Sequence, residues 1–105
     1  MQKYLLVYFG GHKFETKEQG MAHMRKWQAW MQGLGDAVID PGMPVMGAKT
    51  VSSKGATDGG VTPVLSGITI LQAETMDDAV SMAAKCPHIE IGGSIEVAQA
   101  MDMEM

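Results

Sequence analysis

The chain has 105 residues, enough for one domain, and a monomer of that size buries only roughly two-thirds of the surface that its unfolded chain exposes. Hydrophobic residues make up 46% and charged residues 19%, which excludes wholesale disorder. The net charge of −4 offers no basic surface to nucleic acid or anionic lipid, so we expect neither as a partner.

The first segment, MQKYLLVYFGG, contains an apolar run too short for a signal peptide or a membrane span. Lys3 to Phe9 has the composition of a buried strand that ends in the Gly10-Gly11 turn. A single cysteine cannot form an internal disulfide. We therefore expect a cytoplasmic protein that does not enter the membrane.

A helix is predicted after Thr16, because Thr16 and Gln19 form a capping box. Its apolar side chains recur at helical spacing along one face, at Met24, Trp27, Met31 and Leu34. Trp30 lies off this stripe, which indicates either a second packing surface or the wall of a pocket.

The segment 36–60 combines strand-like stretches with two prolines and a glycine-rich turn, and we interpret it as one long kinked strand followed by a hairpin. Ser66 to Ala73 alternates as a strand should. Thr75 and Asp78 form a second capping box for a helix that Pro87 ends. The last strand is SIEVAQA.

The predicted order is strand, helix, strand, strand, helix, strand. This is the ferredoxin-like βαββαβ arrangement, an α+β fold with a four-stranded antiparallel sheet and two helices on one face. The other face of the sheet needs a cover, and a second copy of the sheet would supply it. We therefore expect one domain, residues 1–105, that forms a homodimer.

The stretch KCPHIEIGGSIEVAQAM places Cys86 two positions before His88. Cys86 falls at a helix C-terminus, where the dipole disfavours a thiolate, so a structural role is expected. His88 lies in a loop after a helix-stopping proline. Two interpretations remain open for His88, namely a hydrogen bond to loop backbone, and proton transfer or ligand binding.

Metal sites are alternatives with little support from spacing. Cys86, His88, His12 and His23 lack the paired spacing of a zinc site. Met101, Met103 and Met105 alternate as thioether ligands of Cu(I) do, although a frayed strand end or a dimer contact explains them as well. The glycine-rich stretches lack the strand-to-helix context of a phosphate loop. We expect no metal and no cofactor.

Six segments of the chain form a shared pattern, namely KYLLVYF, LGDAVIDPGMP, GAKTVS, ATDGG, SGITILQAETMDDAVSMAAKCPH and GGSIEVAQAMDM. Together they resemble the YCII-related domain family, in particular its DGPF-like branch. The resemblance covers almost the whole chain, and it implies a dimeric α+β barrel. Some members are proposed to use a histidine of the first helix with an aspartate; His23 lies near that histidine without clearly matching it, and the DGPF signature is replaced by TDGGVTP.

The candidate catalytic residues are His88 and Asp40, which we expect to lie close together where the chain leaves the sheet. Tyr8, Trp27 and Trp30 are the candidate ligand-binding walls. Two functions fit this sequence. The first is a small-molecule-binding barrel with cofactor-independent proton-transfer or lyase-like chemistry. The second is a non-enzymatic dimeric regulatory or accessory module.

Overall fold

A computed structural model describes residues 1–59 and 64–101 of the chain. The strands are β1 (Gln2–Phe9), β2 (Val38–Pro44), β3 (Lys49–Ser52), β4 (Gly55–Asp58), β5 (Leu65–Ala73) and β6 (Ser94–Gln99); the helices are α1 (Lys17–Leu34) and α2 (Met76–Ala83). Four of these strands form an antiparallel sheet in the order β2, β5, β1, β6, and β3 and β4 form a separate hairpin. The predicted ferredoxin-like α+β fold is confirmed.

The core lies between the sheet and the two helices. Alternate residues of β1 point toward the helices, and Tyr4, Leu6 and Tyr8 are all buried there. Helix α2 packs closely on this layer because its inward positions, Ala79 and Ala83, are small. Its N-terminus is capped as predicted, with the amide of Asp78 donating to Thr75 Oγ1.

Helix α1 is also capped as predicted, with the amide of Gln19 donating to Thr16 Oγ1 over 3.1 Å. None of its residues is fully buried. Trp27, Trp30 and Leu34 are half-buried against the core, whereas Met24 on the predicted stripe is 57% exposed. The N-terminal half of the helix therefore stands away from the sheet and leaves space beneath it.

Strand β2 continues through Pro41-Gly42 as a kinked strand, as predicted, but it does not leave the sheet there as expected. Its pairing with β5 shifts register twice, between Val38 and Asp40 and between Asp40 and Met43. Gly42 has φ +72°, and a Cβ there would overlap the carbonyl oxygen of Ile68. The bulges absorb the irregular residues, so the strand remains part of the sheet.

The two faces of the sheet differ in their cover. Both helices lie on one face, and on the other face Leu5, Val7, Phe9, Ile68 and Ile70 are only partly buried. The β3–β4 hairpin is exposed at every residue. Within the described residues, no helix is both long and apolar enough to span a membrane.

Candidate functional site

A cavity of about 810 Å³ opens between α1 and the sheet, in the space that the loosely packed helix leaves. Aromatic and methionine side chains form much of its wall, together with three histidines. The side chains that line it include Tyr8, His12, Phe14, His23, Met24, Trp27, Met31, Met43, Thr69 and His88. Within residues 1–59 and 64–101, no Asp, Glu, Lys or Arg lines the cavity.

His88 is held at the cavity by the turn that follows α2. Pro87 begins a short 3₁₀ helix, and the imidazole Nε2 lies 2.9 Å from the carbonyl oxygen of Phe9. A carbonyl oxygen only accepts, so Nε2 carries the proton and Nδ1 of the neutral ring is unprotonated. His88 is 4% exposed, and its ring packs so closely on Gly93 that a Cβ at that position would fall within the ring.

Both interpretations of His88 therefore have a structural basis. The side chain is hydrogen-bonded to backbone, and it also lines the cavity. Its ring contacts that of Tyr8 edge-on, with 5.4 Å between the centroids. A catalytic role for His88 remains a prediction.

Tyr8 anchors the cavity floor through a buried chain of hydrogen bonds. Its hydroxyl donates to Thr69 Oγ1 over 2.8 Å, and the Thr69 hydroxyl donates to the carbonyl oxygen of Pro41 over 3.0 Å. Burial raises the pKa of Tyr8 far above its usual value, and the hydrogen bond between Tyr8 and Thr69 opposes this only in part. The phenol is therefore a neutral donor, and the predicted position of Tyr8 at the pocket wall agrees with the geometry.

Trp27 is also found at the wall, and it contacts His23 one helical turn earlier. The indole Nε1–H donates to His23 Nε2 over 2.7 Å. The Trp27 ring meets Tyr8 edge-on, with centroids 5.1 Å apart, and the His23 ring lies 4.9 Å from that of Phe14. Partial burial lowers the pKa of His23, although Glu90 opposes this shift.

Two of the predicted site residues lie elsewhere. The indole of Trp30 donates to the carbonyl oxygen of Met82, so Trp30 packs α1 against the α2 segment and does not line the cavity. Asp40 is exposed within β2, and its carboxylate accepts from the amide of Gly42 over 2.8 Å. Asp40 pairs with Ile70, which lies opposite Leu5 in the middle of β1, whereas His88 contacts Phe9 at the end of β1. The structure therefore does not bring Asp40 and His88 together.

Cys86 is buried, at 2% exposure, as its structural role requires. Burial raises the pKa of its thiol to about 11, with the backbone amide of His88 opposing the shift. The described part of the chain contains no group of three or more His, Cys, Asp or Glu arranged to hold a metal ion. Met103 and Met105 of the copper alternative lie outside the described residues, as does the tail from Asp102.

Two residues of the cavity wall, His23 and Thr69, were not identified from the sequence. A signal for His23 was present, because His23 and Trp27 are four positions apart and therefore neighbours on a helix. Thr69 gave no comparable signal, since its partners Tyr8 and Pro41 are 61 and 28 positions away.

Comparison with known proteins shows the fold alone. No family model matches the chain, and no curated protein matches it. Among solved structures it is similar to 5-chloro-2-hydroxyhydroquinone dehydrochlorinase from Burkholderia phenoliruptrix, in complex with 2,5-dihydroxybenzoquinone. The TM-score is 0.58, the sequences are 17% identical, and the alignment covers 93% of each chain.

Proposed function

We propose that this protein binds an uncharged, ring-containing small molecule in the cavity between α1 and the sheet. The observation that carries the proposal is the composition of the wall, which combines aromatic and thioether groups with neutral hydrogen-bonding groups and no Asp, Glu, Lys or Arg among the described residues. An ionised ligand would lose its hydration without gaining an opposite charge there. The volume, about 810 Å³, lies within the range of small-molecule sites.

The chemistry that this site supports best is cofactor-independent proton transfer, including lyase-like elimination. His88 is the candidate base, because the bond from Nε2–H to Phe9 leaves Nδ1 with its lone pair. Tyr8 lies beside His88 as an uncharged group; its proton is donated to Thr69, so its oxygen can accept a hydrogen bond from the ligand. The structural neighbour is named a dehydrochlorinase, and its bound ligand is a six-membered ring. An open cavity favours this function over a non-enzymatic module, for which a filled interior is expected.

The assembly we propose is a homodimer in the cytoplasm, built as an α+β barrel of the YCII-related family. The segments that resemble that family and the ferredoxin-like topology support this assignment. The partly buried apolar face of the sheet supports the dimer, because a two-fold interface would cover the same patch on both copies.

A matched pair of probes tests the binding proposal. 4-Hydroxyacetophenone and 4-hydroxybenzoate share a ring and a hydroxyl, but only the second carries a carboxylate at pH 7. We expect the uncharged probe to raise the melting temperature, and the anion to bind at least about tenfold more weakly. Equal or tighter binding of the anion would contradict the proposal, as would no response to any uncharged ring compound.

A further inference from the structure

We propose that Trp27 is a positioning residue that holds His23 as the Nδ1–H tautomer, so that His23 presents an N–H donor to a carbonyl oxygen of the cavity ligand. This inference rests on the proposed function, since it assigns a recognition group and a ligand feature to the same cavity. Trp27 and His23 are both in α1 and both line the cavity.

The tautomer follows from the chemistry of the two rings. An indole nitrogen can only donate, and Trp27 Nε1 lies 2.7 Å from His23 Nε2. Nε2 must therefore hold a lone pair, and the proton of the neutral imidazole is on Nδ1. Among residues 1–59 and 64–101, nothing accepts a hydrogen bond from that Nδ1.

The surroundings of His23 favour its neutral form. A protonated ring could not accept from Trp27, and partial burial also disfavours the charge. The groups that face the ring are Glu90, His88, Lys26 and His12; Glu90 favours protonation, and the other three oppose it. Lys26 and Glu90 also pair with each other, 3.5 Å apart, which reduces the influence of each on His23.

The two histidines thereby have complementary roles. His23 offers an N–H group, whereas His88 has given its N–H to Phe9. A ligand with a carbonyl oxygen would accept the hydrogen bond that the N–H group of His23 offers. The ligand class is thus an uncharged ring compound that carries a carbonyl group, which 4-hydroxyacetophenone represents; 4-ethylphenol is its matched counterpart without the carbonyl.

The tautomer is tested directly by long-range ¹H–¹⁵N correlation of the histidine rings in the intact protein. We expect His23 to show a protonated Nδ1 and an unprotonated Nε2 in the wild type, and a mixture of tautomers with a higher pKa in Trp27→Phe. Trp30→Phe is the matched control, because it removes an indole N–H from the same helix that donates to Met82 instead. A protonated Nε2 in the wild type, or an unchanged pattern in Trp27→Phe, would overturn the assignment.

Ligand binding tests the role of the donor. In the wild type we expect 4-hydroxyacetophenone to bind roughly fivefold more tightly than 4-ethylphenol, the ratio that one hydrogen bond provides. His23→Leu should abolish this preference, and His23→Asn, which keeps an N–H near the Nδ1 position, should restore part of it. Equal binding of both probes to the wild type would refute the donor role while the proposed function stands. If neither probe binds, the proposed function fails and the donor role fails with it, whatever tautomer is observed.

Discussion

At the residue scale, the buried hydroxyls of Tyr8 and Thr69 act as a unit. Thr69→Val keeps the shape but removes the acceptor of the Tyr8 hydroxyl and the donor to Pro41. We expect it to lower the free energy of unfolding by about 1–3 kcal/mol, since two polar groups lose their partners. Urea denaturation measures this. In a Tyr8→Phe background, Thr69→Val should lower the free energy of unfolding by a smaller amount. If the effects of the two substitutions simply add, Tyr8 and Thr69 do not act as a unit.

The pH dependence of stability also belongs to single residues. Because the pKa of His23 lies below its ordinary value of 6.5 in the folded chain, the unfolded chain takes up the proton first as the pH falls. The contribution of His23 to stability is therefore complete above pH 6.5, declines as the pH falls below it, and levels off below the folded-state pKa.

His23→Gln isolates this effect, because glutamine does not titrate. We expect the free energy of unfolding of the wild type to fall more than that of His23→Gln when the pH is lowered from 7.5 through 6.5. Urea denaturation at a series of pH values gives the difference between the two curves. A difference that is flat with pH, or that grows in the opposite direction, would show that the pKa of His23 is not lowered.

At the element scale, the turn between α2 and β6 places His88 by packing its ring on Gly93. A Cβ at Gly93 would overlap the imidazole, so Gly93→Ala should lower the free energy of unfolding by about 1–3 kcal/mol. Gly33→Ala is the matched control, since Gly33 lies in α1 with open space around it, and alanine there should stabilise by up to about 1 kcal/mol.

A double-mutant cycle separates the clash of Gly93→Ala with the His88 ring from a general effect of the substitution on the turn. In a His88→Ala background the ring is gone, so adding Gly93→Ala should cost less than it does in the wild type. Thermal or urea unfolding of the four proteins completes the cycle. An equal cost in both backgrounds would mean that Gly93 does not hold the ring of His88.

The elements themselves differ in how far the sequence determines them. Strand β1 and both helix starts were predictable, because a short apolar run closed by glycines and the capping residues are local signals. The kink of β2 was also predictable from Pro41 and Gly42, but its continued pairing with β5 through two bulges was not, because that pairing depends on a distant strand. Because β2 stays paired in the sheet, Asp40 does not lie near His88, contrary to what the sequence had suggested. The contact of Trp30 with Met82 spans 52 positions, and local pattern does not indicate it.

At the scale of the whole molecule, the uncovered sheet face makes the homodimer the central structural prediction. Light scattering should give twice the chain mass of 11.2 kDa. Ile70→Glu places a charge on that face and should yield a folded monomer, because a charge without a partner is costly to bury. Val80→Glu, on the exposed side of α2, should leave the dimer intact. A monomeric wild type, or a dimeric Ile70→Glu variant, would contradict the proposed interface.

The cavity is the central claim about function, and the methionines allow it to be tested most directly. Met24, Met31 and Met43 line the cavity, whereas Met76 and Met101 do not. With ¹³C-labelled methionine methyl groups, titration with 4-hydroxyacetophenone should shift the first three resonances in a saturable manner and leave the other two in place. Unchanged cavity methyls at millimolar probe, or equal shifts of all five, would contradict the claim that this cavity is a ligand site.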